Sequence, residues 1–310
     1  MHEHIAPTMY YFGVHLMFAS IVFLAAWSLT SIPRGSATTK YWIWVATSLN
    51  FMLPLGAVID KFWKSHVSWA TPLPMVGGPA LTISRGTNAG VLFSIWLLGA
   101  SLMFTRLYLR LRADHRDARV AGKPAALSAR SSFLAQGVPV RFTAGQEAPA
   151  VDGVLRPHIS LPSGIDRVLS EDELNAVLMH EVTHARRRDN LVRLTYELGL
   201  CVLWFHPLIW IAGSRLALYR ELSCDESVIQ SDRGAELISA LAKLSNPDKD
   251  FLLQATASSF LRHRLSRLVA PPQRTSGRVS VMLTAAFSAV LLGGMFGTVA
   301  HTACCFVVKK

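Results

Sequence analysis

Charged residues are scarce in this sequence of 310 residues. Asp, Glu, Lys and Arg make up 16% of the chain, whereas soluble globular domains carry about 25%. Hydrophobic residues account for 51%, and the mean hydropathy is +0.33. These values exclude a disordered chain and disfavour an ordinary soluble protein. The length suffices for one catalytic domain and several membrane spans, since each span needs about 20 apolar residues.

Cysteine is also scarce. The four cysteines, Cys201, Cys224, Cys304 and Cys305, are too few and too unevenly placed for a disulfide framework in a chain of this size. Cys201 lies in an apolar stretch and Cys224 in a predicted helix, so the sequence favours small buried side chains at both positions.

Acidic residues number 20 against 31 Lys and Arg, which leaves a formal net charge of +11. The basic residues crowd the ends of apolar runs, and this placement favours membrane topology and contact with lipid headgroups over a nucleic-acid partner. We therefore expect membrane lipid, and no nucleic acid, to contact the chain directly. The two main clusters are Arg106, Arg110, Arg112, Arg116 and Arg119, and Arg262, Arg264, Arg267, Arg274 and Arg278.

Four apolar runs are long enough to cross a bilayer, and they cover residues 9–29, 41–59, 89–109 and 279–300. The first lacks the basic head and cleavage site of a secretory signal, so we expect it to be retained. The strongest Lys/Arg clusters lie between the third and fourth runs, which places that segment in the cytoplasm and the N-terminus outside. The connection over residues 60–87 is then external, despite its own basic residues.

Residues 170–188 predict a helix that contains the motif His180-Glu181-Val182-Thr183-His184. Ser170 and Glu173 form a capping-box pattern at its start. Residues four apart lie on one helix face, so both imidazoles can reach one metal ion while Glu181 projects beside it. Two neutral histidines suit Zn²⁺, and a third protein ligand leaves the fourth position for water.

A second helical pattern, from about Arg215 to Ile229, carries an acidic pair. Glu221 and Asp225 are four residues apart, so Glu221 could bind the metal while Asp225 accepts the far N–H of a ligand histidine. Alone, such a pair is typical of a solvated helix face. Because the motif from His180 to His184 lies upstream, we favour a metal-binding role for the pair.

Several runs resemble the BlaR/MecR-type family of membrane zinc metallopeptidases, which are antirepressor proteases. They are Leu161 to Gly164, Leu169 to Leu174, His180 to His184, Arg186 to Asp189, Trp204 to Trp210, Glu221 to Asp225 and Arg262 to Leu268. The resemblance implies one Zn²⁺ per chain, held by His180, His184 and Glu221, with Glu181 as general base and Asp225 and Asp189 as supporting residues.

The sequence departs from the family pattern at His206, Tyr219 and Ser223, where Asn, Asp and Ala are usual. None of these removes a ligand, but His206 and Tyr219 are expected to retune the surroundings of the metal. The family's β-lactam receptors carry an external penicillin-binding domain after the last span, whereas only residues 301–310 follow it here. The resemblance thus supports the protease half and gives no expectation of antibiotic sensing.

The expected fold class is a mainly α membrane protein with four transmembrane helices and a cytoplasmic α+β zincin-like domain between the third and fourth. Residues 1–112 form the membrane region, 113–278 the metallopeptidase domain, and 279–310 the last span with a short external tail. The expected location is a bacterial-type inner or plasma membrane. Gly293 and Gly297 have the spacing that lets helices approach closely, within the chain or in a homodimer.

The apolar stretch over residues 191–213 tests this arrangement. It carries Arg193 and Glu197 and is broken at His206-Pro207. If it crossed the bilayer, the two histidines would lie on the opposite side from Glu221. We therefore expect it to stay on the cytoplasmic side, buried or dipping into the interface, with the active site close to the membrane.

Residues 157–162 predict a short strand bounded by prolines. An edge strand near the motif helix could pair with an extended substrate through His158, Ile159 and Ser160. A plain structural edge is the alternative, and the sequence does not decide between them.

The expected reaction is hydrolysis of peptide bonds in a cytoplasmic protein. The resemblance suggests a winged-helix transcriptional repressor as substrate, and the chain itself is another candidate. Two alternatives stay open: a membrane quality-control protease of the HtpX type, and a non-catalytic membrane signalling scaffold that keeps zinc for structure.

Overall fold

The structure is a computed structural model, and it describes residues 5–53, 88–119, 123–124, 128–135, 137–143, 148–244, 264, 266–269 and 277–307. The longer helices are α1 (Ile5–Thr30), α2 (Ala37–Met52), α3 (Asn88–Arg119), α5 (Glu171–Arg187), α6 (Asp189–Val202), α7 (Pro207–Ile229), α8 (Gly234–Leu244) and α9 (Gly277–Val307). The remaining elements are the short helix α4 (Ala129–Leu134), a 3₁₀ turn (Ile165–Arg167), and the strands β1 (Lys123–Pro124), β2 (Val140–Thr143), β3 (Ala150–Asp152) and β4 (His158–Pro162).

Three helices in the described ranges are long and apolar enough to cross a membrane. The qualifying segments are Phe12–Thr30 in α1, Gly90–Ala113 in α3 and Gly277–Met295 in α9. They coincide with the first, third and fourth predicted spans. Only 11% of the segment is buried in both α3 and α9, so most of their apolar side chains lie where lipid would remove them from water.

The second predicted span stays a prediction. Its described part lies in α2, which has 16 residues and is about 24 Å long, less than the roughly 30 Å of a hydrocarbon core. Residues 54–59, and the predicted external connection over 60–87, lie outside the described residues. Tyr41, Trp44 and Phe51 of α2 are fully buried by other parts of the chain.

One hydrophobic core joins α1, α2, α7 and α9. It includes Phe23 of α1, Trp44 of α2, Ile209 and Leu216 of α7, and Phe287 of α9. The rings of Phe23 and Trp44 meet edge to face at 5.4 Å between centroids, a favoured aromatic geometry. The first half of α7 therefore packs in the same core as two candidate spans.

The apolar stretch over residues 191–213 forms a hairpin rather than one helix. Helix α6 ends at Val202, and α7 begins at Pro207, where the missing proline N–H costs no helical hydrogen bond. The turn lies against α3: the Trp96 indole N–H donates to the Val202 carbonyl at 2.9 Å, and the Trp204 indole N–H donates to the Trp96 carbonyl at 3.2 Å. The chain thus runs alongside a candidate span and returns.

The sheet and helices α5 and α8 form a second hydrophobic core. The strand order is β1-β2-β4-β3, with β4 parallel to β2 and antiparallel to β3. The predicted edge strand at His158 to Ser160 is therefore wrong, because β4 is paired on both sides. Ile159 and Ser160 are also buried, so these residues offer no free backbone edge to a substrate.

The glycines of the last helix approach α1. A Cβ on Gly294 would lie 3.2 Å from Val22, whereas Gly293 has open space around it. The close helix contact seen within the chain thus uses Gly294. A homodimer through Gly293 and Gly297 stays a prediction, and the surroundings of Gly297 lie outside what the structure describes.

The hairpin contact with α3 depends on the absence of a side chain at Gly99. A Cβ there would lie 2.2, 2.3 and 2.7 Å from atoms of the Trp204 indole. We expect Gly99→Ala to lower the free energy of unfolding by about 1–3 kcal/mol, the usual cost of overpacking, measured by thermal unfolding in detergent. Gly13→Ala is the control, since nothing lies within 4 Å of its Cβ. Equal stability of the two variants would contradict the contact.

Candidate metal centre

Helix α5 is fixed at both ends. At its start, the Ser170 hydroxyl accepts a hydrogen bond from the Glu173 N–H at 3.3 Å, and the Glu173 carboxylate accepts one from the Ser170 N–H at 2.8 Å, which confirms the predicted capping box. At its end, Arg188 adopts a left-handed conformation with φ of 55°. Because this single residue joins α5 to α6, the side chain of Asp189 lies next to the last turn of α5.

The two motif histidines and Glu221 converge on one point. The Nε2 atoms of His180 and His184 lie 3.2 Å apart, and the Glu221 Oε2 atom lies 3.5 Å from the first and 3.7 Å from the second. All three side chains are largely buried.

These separations fit a bound metal ion. Ligands at 2.0–2.2 Å from a tetrahedral ion are about 3.3–3.6 Å from one another, close to the three distances between the Nε2 and Oε2 atoms. Two imidazoles and one carboxylate also form a donor set that leaves one position of a tetrahedral ion free. The residues present therefore suit a metal ion with three protein ligands.

A buried carboxylate stands behind each histidine. The Nδ1 atom of His184 lies 2.6 Å from the Asp189 Oδ2 atom, and the Nδ1 atom of His180 lies 3.1 Å from the Asp225 Oδ1 atom. A carboxylate on the far nitrogen fixes the ring orientation and the tautomer that presents Nε2 as a donor to metal. Asp189 forms a hydrogen bond with the His184 ring, whereas Asp225 approaches the His180 ring without hydrogen-bond geometry, and no described residue bonds that Nδ1 atom. Both carboxylates lie where supporting residues would act.

An arginine binds each of the three carboxylates, and the Arg264 Nη1 atom also lies 3.5 Å from the Glu221 Oε2 atom. Arg187 binds both oxygens of Asp189, at 3.2 and 2.6 Å. Arg264 binds both oxygens of Asp225, at 2.9 and 2.7 Å. Arg220 donates to the Oε1 atom of Glu221 at 3.1 and 2.9 Å, which leaves Oε2 towards the histidines. Forked pairs of this kind fix the orientation of a carboxylate.

These arginine roles were not predicted from the sequence. Arg187 and Arg264 belong to runs that resemble the metallopeptidase family, which was the available signal. The pairing itself could not be found in that way, because Arg264 is 39 residues from Asp225 in the chain.

The electrostatics of the cluster favour a bound cation. Burial alone raises the pKa of Glu221, but the two histidines and Arg220 outweigh it and hold that pKa well below its usual range. Burial likewise raises the pKa of Asp225, yet Arg264 and His180 lower it overall. Burial lowers the pKa of His180, but Asp225 and Glu221 raise it to about 9. The carboxylates stay ionised, and the imidazoles lie where positive charge is stabilised.

Glu181 stands apart from this network. It lies on α5 next to His180 and is half-buried, and no ion pair or hydrogen bond joins its carboxylate to another described residue. Its oxygens are therefore not engaged by the arginines that hold the other three carboxylates, which suits a group that accepts a proton.

Tyr41 at the start of α2 reaches the centre from far along the chain. Its hydroxyl donates to the Asp189 Oδ1 atom at 2.8 Å, and the Arg187 guanidinium lies 4.4 Å from its ring centroid. Asp189 is thus held by α2, α5 and its own helix at once. Tyr41 was not predicted as a site residue.

Two expected modifiers of the metal surroundings lie elsewhere. The Tyr219 hydroxyl donates to the Thr30 carbonyl at 3.1 Å and so ties α7 to the end of α1. The His206 ring packs on Phe51 at 5.2 Å between centroids, in the turn of the hairpin. Both side chains thus contact neighbouring helices, and their expected effect on the metal centre stays a prediction.

Cys224 is buried, as expected, but its surroundings are not those of a packing residue alone. One donor atom each of Cys224, His180 and His184 lies within 4.8 Å of the other two. The Arg187 guanidinium also donates to its sulfur at 3.1 Å.

Comparisons with known proteins agree with this site. The family model described as BlaR1 peptidase M56 matches residues 12–268. The regulatory protein BlaR1 of Bacillus licheniformis is 26% identical over 279 residues, which cover 83% of this chain and 45% of that protein. The methicillin resistance mecR1 protein of Staphylococcus aureus is 21% identical over 98 residues, 32% of this chain and 17% of that protein. The chain thus spans less than half the length of these relatives.

The carboxylates behind the histidines should control metal affinity. We expect Asp189→Asn and Asp225→Asn each to weaken Zn²⁺ binding by about 10- to 100-fold, because each removes the charge that orients a ligand ring. Affinity is measured on the purified protein in detergent by competition with a chromophoric chelator. Asp166→Asn, at an exposed position of the 3₁₀ turn, is the matched control. Unchanged affinity in both test variants would exclude the supporting role.

Proposed function

Because the chain belongs to the BlaR1 peptidase M56 family, we propose that it is an integral-membrane zinc-dependent endopeptidase that cleaves a cytoplasmic protein in regulatory proteolysis. The observation that carries the proposal is the convergence of His180, His184 and Glu221 at 3.2–3.7 Å. The next residue after His180 is Glu181, whose carboxylate forms no ion pair or hydrogen bond with another described residue. A site that holds metal only for structure has no need of such a base.

The proposed cofactor is one Zn²⁺ held by His180, His184 and Glu221. When bound, zinc lowers the pKa of its water to about 7 and polarises the scissile carbonyl. Glu181 accepts the proton of the attacking water on its carboxylate and donates it to the leaving amine. Asp189 and Asp225 hold the two imidazoles so that both Nε2 atoms stay aimed at the metal.

The proposed orientation has the N-terminus outside and the metal centre at the cytoplasmic face. Its support is relative position along α1: the carbonyl of Thr30, at the far end of the helix from the N-terminus, accepts a hydrogen bond from Tyr219 of α7. Two residues beyond Tyr219, the same helix carries Glu221. The centre thus lies beside the end of a candidate span, so substrate would be cleaved close to the membrane.

A winged-helix repressor is proposed as the substrate from the resemblance to the BlaR/MecR-type antirepressor family, and the names of the relatives support only a regulatory role. BlaR1 is called a regulatory protein, and mecR1 a methicillin resistance protein. The basic net charge does not imply that the chain itself binds DNA, since the basic residues follow the ends of apolar helices.

The role of Glu181 is testable by an isosteric change. Glu181→Gln removes the proton acceptor, so we expect peptide hydrolysis to fall by about 100-fold or more while the zinc content stays at one per chain. Glu171→Gln, exposed in the first turn of the same helix, should keep both. Cleavage of a quenched fluorescent peptide and metal analysis are the measurements. Full activity of Glu181→Gln would exclude Glu181 as the general base. Full loss of zinc from this variant would show that Glu181 is a metal ligand instead.

The substrate class has its own test. The chain is co-expressed with a candidate winged-helix repressor, and repressor fragments are followed by immunoblot. We expect fragments with the wild-type chain and none with Glu181→Gln. If the repressor stays intact while the enzyme still cleaves the fluorescent peptide, the proposed substrate is wrong. The proposed peptidase activity is then unaffected.

A further inference from the structure

We propose that Cys224 is a further ligand of the metal centre, whose thiolate takes the position that the three proposed ligands leave free and so holds the enzyme in a latent form. This inference rests on the proposed function, because it requires a metal ion at the histidine pair.

The position of the sulfur is the first observation. A donor atom of Cys224 lies within 4.8 Å of a donor atom of each histidine. Tetrahedral ligation at about 2.3 Å for sulfur and 2.0–2.1 Å for nitrogen requires about 3.6 Å between them. At that upper limit, the sulfur lies about 1.2 Å beyond ligand spacing from one nitrogen of each histidine.

Helix geometry explains why the sulfur points there. Cys224 follows Glu221 by three residues, and residues three or four apart share one face of a helix. Glu221, Cys224 and Asp225 thus present a carboxylate, a thiol and a second carboxylate to α5 from the same side of α7. The sulfur belongs to the face that carries the proposed third ligand.

A guanidinium lies against the sulfur. Cys224 is fully buried, and the Arg187 guanidinium donates to its sulfur at 3.1 Å. The same guanidinium binds both oxygens of Asp189. A sulfur that leaves the metal would therefore still have a hydrogen-bond partner.

The exchange is a ligand substitution without oxidation. On closing, the S–H bond breaks, its proton is released to solvent, and the sulfur forms a bond to the metal in place of water. On opening, water replaces the sulfur, which takes up a proton from solvent and leaves as the thiol. Catalytic zinc sites keep an open position, whereas sites with four protein ligands are closed, so the sulfur-bound form cannot activate water.

X-ray absorption at the zinc edge tests the ligand directly. We expect one sulfur at about 2.3 Å beside nitrogen and oxygen at about 2.0–2.1 Å in the purified, full-length, zinc-loaded protein. The sulfur should vanish in Cys224→Ser and persist in Cys201→Ala, a matched variant at another buried cysteine. A nitrogen and oxygen shell in the wild-type protein overturns the inference but not the proposed function. Failure of the wild-type protein to bind zinc at the histidines overturns the proposed function itself.

Latency is tested by rate. We expect Cys224→Ser to raise basal cleavage of the fluorescent peptide at least 10-fold over wild type, while Cys201→Ala leaves it unchanged. A wild-type rate in a folded, zinc-loaded Cys224→Ser variant would contradict the latent form. If that variant fails to fold, Co²⁺ substitution of the wild-type protein still decides: a sulfur-to-cobalt charge-transfer band supports the ligand, and its absence rejects it.

Discussion

The approach of two imidazole nitrogens to 3.2 Å is the constraint on which the site depends. Nothing in a helix by itself holds two rings so close, so each ring is fixed from behind by a buried carboxylate. Those carboxylates in turn need buried arginines, because an unpaired buried charge costs several kcal/mol. The result is a network in which α2, α5, α6, α7 and the segment at Arg264 all meet. Loss of any one partner leaves an unpaired charge in the low-dielectric interior, which destabilises the fold.

The two hydrophobic cores stabilise different parts of the molecule. The sheet, α5 and α8 form one core that supports the motif helix. Helices α1, α2 and α9 and the part of α7 from Ile209 to Leu222 form the other, whereas Val228 at the end of α7 belongs to the first core, so the two ends of α7 lie in different environments. Glu221 lies near the point where these environments meet. A helix shared in this way fixes the third proposed ligand relative to the membrane helices as well as to the histidines.

Local features of the site could be predicted from the sequence, whereas long-range partners could not. The capping box of α5, the break before Pro207 and the helix positions of His180 and His184 follow from neighbouring residues. Tyr41 lies 148 residues from Asp189, and no local rule connects them. Hydropathy also cannot tell lipid-facing from protein-buried surface, so the run over residues 41–59 has the composition of a span although Tyr41, Trp44 and Phe51 are buried within the chain. Strand order also depends on contacts between residues distant in the chain. For that reason the prediction that β4 lies at an edge was wrong.

The hydrogen bond from Tyr41 to Asp189 couples the proposed metal centre to the position of α2. An O–H···O bond of 2.8 Å does not survive a displacement of one helix by an ångström or more, and the same carboxylate orients the ring of His184. Packing of α2 and affinity for the metal are therefore thermodynamically linked, and such linkage is reciprocal. A displacement of α2 would therefore lower the affinity for the proposed metal ion. Binding of the ion would in turn stabilise the packed position of α2.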